Sequence, residues 1–362
     1  MDPSIPKTDK EVAGYKYNSK SQPIGRGSYG NVYLGYGPDG EQVAIKVISR
    51  KTISRDEHVT TMIHREVELL RTLKSRYIAE FKAVSKSKEN LYLVTKYCPG
   101  GDLSVVLSKS KVLPVERALT VVKQVTQAFL DIEKLELQDA KKNPVLFIHR
   151  DIKPENILFS EEGEVRLIDF GFSRTVDDEL KGKGLQLTCC GSANYSSPQI
   201  IMGTDYNFKC DIFSLGAVMY EMIFGKQFWD GKKEKEYLDK VKTEAYSFDV
   251  SIPKEVEDLL KKMLKFEEND RIDWPGIMEH PAIKKYAGDS KGSTEEKSQP
   301  LEETKSASND IKSQETQSTE KIISEKPSTG VNEKTLQEKQ QTGETNIQST
   351  SEDPKVEGVS KV

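Results

Sequence analysis

The run Ile148-His149-Arg150-Asp151-Ile152-Lys153-Pro154-Glu155-Asn156-Ile157-Leu158-Phe159 puts a carboxylate, an ammonium and a carboxamide within a few residues of one another. Asp151 can take the proton of an attacking hydroxyl, Lys153 can offset charge on a group in transfer, and the amide oxygen of Asn156 can ligate Mg²⁺. The pattern H-R-D-x-x-x-x-N is specific: at ordinary composition a chance match arises in fewer than about one chain in a thousand. Asp169-Phe170-Gly171 follows downstream. Alone it reads as a turn. Behind the first string, Asp169 becomes a second Mg²⁺ ligand and Gly171 gives the backbone freedom to turn at the site. His149 reads as a core histidine packed above Phe170 rather than as a base.

Upstream, Ile24-Gly25-Arg26-Gly27-Ser28-Tyr29-Gly30-Asn31-Val32 is a G-x-G-x-x-G flanked by strand-like runs. Three glycines alone are weak evidence, since a plain hairpin has the same look. A dinucleotide fingerprint needs a helix directly after the glycines, whereas here a strand follows, which suits a flap over phosphates. Val43-Ala44-Ile45-Lys46 then ends an alternating strand on a lysine able to grip phosphate, and a helix-like stretch offers Glu66 as its ion partner. Glu68 competes for that role. Glu66 is preferred because it stands four residues before Leu70, so carboxylate and inward leucine share a face.

These residues need scaffolding of two kinds. Gln22 to Gly27, Gly30 to Gly35, Gln42 to Ile48, Ile78 to Val84 and Leu91 to Tyr97 are β-rich runs separated by turn residues such as Gly37-Pro38-Asp39-Gly40, which predicts antiparallel strands. Val59 to Leu73 carries apolar residues at helical spacing between them. After Gly100-Gly101 the periodicity turns helical, with a long helix predicted from Val115, just behind Pro114, to about Leu137. The fold class is therefore α+β in two lobes, sheet first and helices second.

Residues 18 to 286 resemble a eukaryotic protein kinase domain, with every catalytic motif of that family in order. Asp151-Ile152-Lys153-Pro154-Glu155-Asn156 is similar to its serine/threonine branch. The stretch Leu91 to Leu103 and Asp169-Phe170-Gly171-Phe172-Ser173-Arg174 resemble the autophagy-initiating kinases of the uncoordinated-51-like group and, more loosely, the calcium/calmodulin-type kinases. The resemblance implies ATP and Mg²⁺ as cofactors and protein hydroxyls as substrates. It implies that Gly25, Gly27, Ser28 and Gly30 cover the phosphates and that Ile24, Val32, Ala44 and Leu158 enclose the adenine. Thr95 is then the gatekeeper, the Lys96 carbonyl and Cys98 N–H meet the purine edge, and Asp102 meets the ribose. Lys46 with Glu66, and Asp151, Lys153 and Asn156, form the catalytic set; Asn156 and Asp169 hold the metal.

The segment from Asp169 to Pro198 corresponds to an activation loop, and Thr188 stands where related kinases are phosphorylated, by an upstream kinase or in trans by a second copy. Arg150 and Arg174 are the cations that would receive the new charge. Phe172 implies serine over threonine, and Asp102 and Glu155 a taste for upstream basic residues. Two positions depart from the family: Ser197-Pro198-Gln199 has a neutral glutamine where a glutamate would pair with Arg271, and Phe213 replaces a usual tryptophan. The first change predicts a weaker, ordinary hydrogen bond. The competing function is a pseudokinase scaffold that binds ATP without transfer.

Composition limits the rest. The chain of 362 residues has a net charge of −4 and 31% charged residues, which argues against a basic nucleic-acid binder, and no apolar run suits a membrane span or secretory signal. Cys98, Cys189, Cys190 and Cys210 lack metal-type spacing, so a reducing cytoplasm or nucleus and a monomer are expected. Residues 1–17 read as an N-terminal extension. The 76 residues 287–362 contain no aromatic, Cys, Met or His and only 12 apolar residues, too few for a core, and read as a disordered tail and spacer.

Overall fold

The structure, a computed structural model, describes residues 7–27, 30–51, 67, 70–135, 147–170, 174–175, 193–244, 248 and 251–288. The first lobe is a seven-stranded antiparallel sheet in the order β1-β2-β4-β5-β7-β6, with β3 paired to β4. Its strands are β1 (Lys10–Val12), β2 (Tyr15–Tyr17), β3 (Gly25–Gly27), β4 (Gly30–Tyr36), β5 (Gln42–Ser49), β6 (Phe81–Lys86) and β7 (Asn90–Lys96). Alternation puts Val43, Ile45, Tyr92 and Val94 into one buried cluster with Val12 and Tyr17. The β1–β2 hairpin escaped the sequence reading because each strand is three residues long. Its turn is Ala13-Gly14, both at positive φ (52° and 84°), the arrangement that matches strand twist in a two-residue hairpin.

One strand begins later than the pattern predicts. Ile78 and Ala79 are buried and apolar, yet the Ala79 N–H donates to the Leu167 carbonyl and the Leu167 N–H to the Tyr77 carbonyl. Residues 77–79 thus bond to the helical lobe, and β6 proper starts at Phe81. Between β5 and β6 the described residues 67 and 70–72 are helical.

The second lobe contains α1 (Leu103–Ser110), α2 (Val115–Glu133), α3 (Pro198–Met202), α4 (Lys209–Phe224), α5 (Glu234–Lys242), α6 (Lys254–Met263), α7 (Trp274–Glu279) and α8 (Pro281–Tyr286), with the short hairpin β9 (Ile157–Phe159)–β10 (Val165–Leu167). Strand β8 (Phe147–Ile148) pairs with β11 (Arg174–Thr175). Pro114 occupies the N-cap of α2, and the buried face of that helix runs through Leu119, Val122, Val125, Phe129 and Ile132 at helical spacing. Trp274 stacks on Phe129 at 4.2 Å, a packing role. Helix α4 is buried nearly all round. No helix among the described residues is long and apolar enough to cross a membrane.

The Gln199 departure has a structural answer. Arg271 is 2% exposed and donates to Gln199 Oε1 at 2.5 Å, to the carbonyls of Phe266 (2.8 Å), Lys265 (2.7 Å) and Lys209 (3.2 Å). Glu268 Oε1 lies 3.6 Å from Arg271 Nη1, and its carboxylate is fixed by the Asn207 N–H. Burial lowers the guanidinium to about 10, and the Glu268 charge opposes that shift. The hydrogen bond expected of Gln199 is present, and a carboxylate three residues before Arg271, which the sequence reading did not single out, adds charge beside it. We expect Glu268→Gln to cost about 2 kcal/mol in urea unfolding, because it strips a buried cation of its carboxylate. Adding Gln199→Glu to that variant should restore most of the loss; no recovery would show that Glu268 acts only through Asn207.

Candidate active site

The catalytic run is held from below by one buried carboxylate. Asp211, in the first turn of α4, accepts the His149 N–H at 2.7 Å and the Arg150 N–H at 2.8 Å. Burial pushes its carboxyl up to about 7, against the two N–H donors and the Arg150 charge. Between these anchors and the following turn, Arg150 adopts φ 66°, a left-handed conformation uncommon for a residue with a side chain. Asp151 N–H donates to His149 Nδ1 at 3.3 Å, so Nε2 carries the ring proton and meets the Ile168 carbonyl at 3.2 Å. Burial drives the His149 pKa down, and the ring sits edge-on to Phe170 at 4.9 Å. It is the packed histidine expected from the sequence.

Asp151, 6% exposed, shares Oδ2 between Lys153 Nζ (2.8 Å) and Asn156 Nδ2 (2.8 Å). Asn156 Nδ2 also donates to the Asp151 carbonyl at 2.8 Å, so the amide is oriented with its oxygen turned from Asp151. Pro154–Asn156 is a single tight turn, which brings Asn156 back beside Asp151.

Across the cleft, Lys46 Nζ lies 3.2 Å from Asp169 Oδ1. Burial would raise the Asp169 carboxyl, but Lys46, with Lys153 behind it, holds it below the usual range, so it is ionised. Asp169 stands at φ 63°, and the next residue, Phe170, is fully buried against Phe147 and His149. The side chain of Phe170 pins the strained backbone that aims Asp169 at Lys46.

A cleft of about 480 Å³ joins these groups. Ile24, Gly25, Gly27, Val32, Ala44, Lys46, Thr95, Lys96, Cys98, Asp102, Lys153, Asn156, Leu158 and Asp169 all line it. Its floor is set by Gly100 N–H to Phe159 O and Phe159 N–H to Gly101 O, which bring Leu158 under the chain leaving β7. Burial raises the Cys98 thiol to about 11, so it is a packed thiol rather than a nucleophile. Asp102 is committed in part to structure: Oδ1 caps α1 through Val105 N–H (3.0 Å) and accepts from Ser104 Oγ (2.5 Å). The glycines divide into two kinds. A Cβ at Gly30 would lie 2.0 Å from the Val47 carbonyl, so β4 could not cross β5 there with any side chain. A Cβ at Gly27 would instead lie beside Lys46 Cε at 3.5 Å, an ordinary contact.

Ser28, Glu66 and Thr188 lie outside the described residues, as do Gly171, Phe172 and the Cys189-Cys190 pair. Arg174 is described only as part of β11. Arg150 directs Nη1 to the Tyr206 hydroxyl at 3.1 Å. A further carboxylate was not singled out from sequence: Glu221 on α4 accepts the Tyr195 hydroxyl at 2.6 Å, and the charge of exposed Glu155 reaches it. Only the fold brings positions 155, 195 and 221 together, and no local motif marks Glu221.

The sequence model for the protein kinase domain matches residues 18–283. Mouse Aurora kinase C is 29% identical over 267 residues, covering 74% of this chain and 91% of that protein. Xenopus laevis Aurora kinase A-B is 30% identical over 265 residues, 73% of this chain and 61% of its own length. A probable serine/threonine-protein kinase of Dictyostelium discoideum is 32% identical over 260 residues, 71% of this chain but 30% of that protein. These relatives do not support the narrower likeness to the autophagy-initiating and calcium/calmodulin-type groups; they point to Aurora-like kinases instead. The chain belongs to the protein kinase family and is a serine/threonine kinase.

Proposed function

We propose that the cleft holds ATP with Mg²⁺ and that the chain passes the γ-phosphoryl group to a serine or threonine hydroxyl preceded by a basic residue. The observation that carries this is the ionised Asp169 paired with Lys46 in the same cleft that Lys153 and Asn156, both bonded to Asp151, also line. Two oxygen ligands, Asp169 and Asn156, match what Mg²⁺ takes from a protein when phosphates complete its shell. A divalent cation held by Asp169 and Asn156 would neutralise charge on the phosphates. Lys46 is placed to bind and orient the nucleotide's phosphates beneath the Gly25–Gly27 strand, while Val32, Ala44 and Leu158 give apolar faces for the base. Asp151, with Oδ2 already holding Lys153 and Asn156, turns its other oxygen to the substrate hydroxyl and receives its proton. Lys153 remains beside that proton and offsets charge on the moving group.

The scaffold alternative is disfavoured because Lys46, Asp151, Asn156 and Asp169 are all present and line or adjoin one cleft. Regulation through Thr188 rests on its sequence position together with Arg150, whose backbone N–H is bonded to Asp211, and Arg174. For the basic-residue subsite, the capping duty of Asp102 shifts the assignment to Glu155 and Glu221, which have no cationic partner among the described residues.

Asp169→Asn should reduce transfer to a serine peptide by at least about a hundredfold in kcat while the thermal melt is retained. Undiminished turnover would sink the metal assignment; nucleotide binding without any transfer by the wild type would favour the scaffold. Burial and the neighbouring Glu155 hold the Glu221 carboxyl above its ordinary range despite the Tyr195 hydrogen bond. It therefore loses its charge earlier than other carboxylates as pH falls. KM for a peptide with upstream arginine should rise on the acid side while a neutral peptide's KM stays flat, and Glu221→Gln should abolish the difference.

A further inference from the structure

The loop between α4 and α5 is built against the segment that precedes α3. Asn194 Nδ2 donates to Gln227 Oε1 at 2.8 Å, Gln227 Nε2 donates to the Tyr195 hydroxyl at 3.2 Å, and that hydroxyl donates to Glu221 Oε2 at 2.6 Å. Gly231, at φ 76°, passes so close to Asn194 that a Cβ would lie 2.6 Å from Asn194 Oδ1. Trp229 stacks on Tyr237 at 4.5 Å, and the Tyr237 hydroxyl reaches the Ser196 carbonyl at 3.3 Å. Residues 194, 195 and 196 are thus each gripped from residues 227–237.

A tyrosine hydroxyl has one hydrogen to give. Gln227 fills an acceptor site on the Tyr195 oxygen with an amide N–H, so the single O–H is left to point at Glu221. Donation into the oxygen also strengthens the O–H as a donor, since linked hydrogen bonds polarise one another. Glu221 then has Oε2 fixed by that bond, with the rest of the carboxylate available beside Glu155. Tyr195 is 5% exposed and Gln227 is exposed, so the chain of bonds runs from solvent to a half-buried charge.

We propose that Gln227 is a positioning residue for substrate selection: through Tyr195 it orients the Glu221 carboxylate that receives an upstream basic side chain. This rests on the acidic-subsite reading above. It adds a residue that never touches the substrate and whose removal leaves no buried polar atom of its own.

The test compares two serine peptides, identical except for arginine or alanine upstream, on the full chain and on Gln227→Met, Glu221→Gln, Tyr195→Phe and the Tyr195→Phe/Gln227→Met double variant. For Gln227→Met the preference for the arginine peptide should fall about three- to tenfold, the size of one net hydrogen bond. The fall should appear in KM far more than in kcat, and the acid limb of the KM profile should move to higher pH. In the Tyr195→Phe background the same substitution should do nothing further. Full preference retained by Gln227→Met, or equal effects in both backgrounds, would overturn the proposal while a loss in Glu221→Gln upheld the subsite. Equal use of both peptides by the wild type, unchanged in Glu221→Gln, would overturn the subsite and this inference with it.

Discussion

A carboxylate buried in the first turn of α4 receives two consecutive backbone N–H groups from the catalytic run, and the geometry of the site descends from that contact. Asp211 fixes His149 and Arg150, next to the left-handed backbone at Arg150, and so sets Asp151 against Lys153 and Asn156. The same anchor sets His149, whose ring fixes Ile168 on one side and Phe170 on the other. Asp169 lies between those two residues. A single helix-borne acid therefore orients both the carboxylate proposed to take the proton and the carboxylate proposed for the metal. Helix α4 is suited to the task because it is packed on every side and cannot tilt without disturbing the whole lobe.

Two of the six non-glycine residues at positive φ among the described residues belong to the candidate site. Arg150 and Asp169 hold positive φ without being glycine, and each is held by buried partners: Asp211 for the first, Phe170 for the second. Such conformations persist only when the surroundings over-determine them.

The reading of the sequence went furthest where residues do their work through local spacing. Asp151, Lys153 and Asn156 lie within six residues, folded back by the turn Pro154–Asn156, and Val32, Ala44, Lys46 and Thr95 stand on strands bounded by turn residues. It failed where partners meet only through the fold. The replacement of a charged partner for Arg271 by Glu268 could not be seen while attention stayed on position 199. Glu221 was invisible for the same reason: nothing in a run of apolar helix residues says that a tyrosine twenty-six positions earlier will donate to it. Residues 77–79 look like strand because they are apolar, but burial does not say which neighbour takes their backbone bonds. The three-residue strands β1 and β2 carry too little periodicity to be read at all.

That hairpin also bears on where the folded unit starts. The family match opens at residue 18, yet Val12 and Tyr17 belong to the buried cluster of the sheet, and β2 pairs along β4 through Lys16 and Tyr17. A shortened chain opening at Asn18 would bare the backbone donors and acceptors of β4 at Gly35 and Tyr36 and uncover Tyr33 and Tyr92. Raw strand edge beside exposed aromatic rings is the recipe for edge-to-edge association. The residues ahead of position 18 thus work as a seal on the small lobe, and trimming to the family-match boundary would leave a chain more prone to self-association.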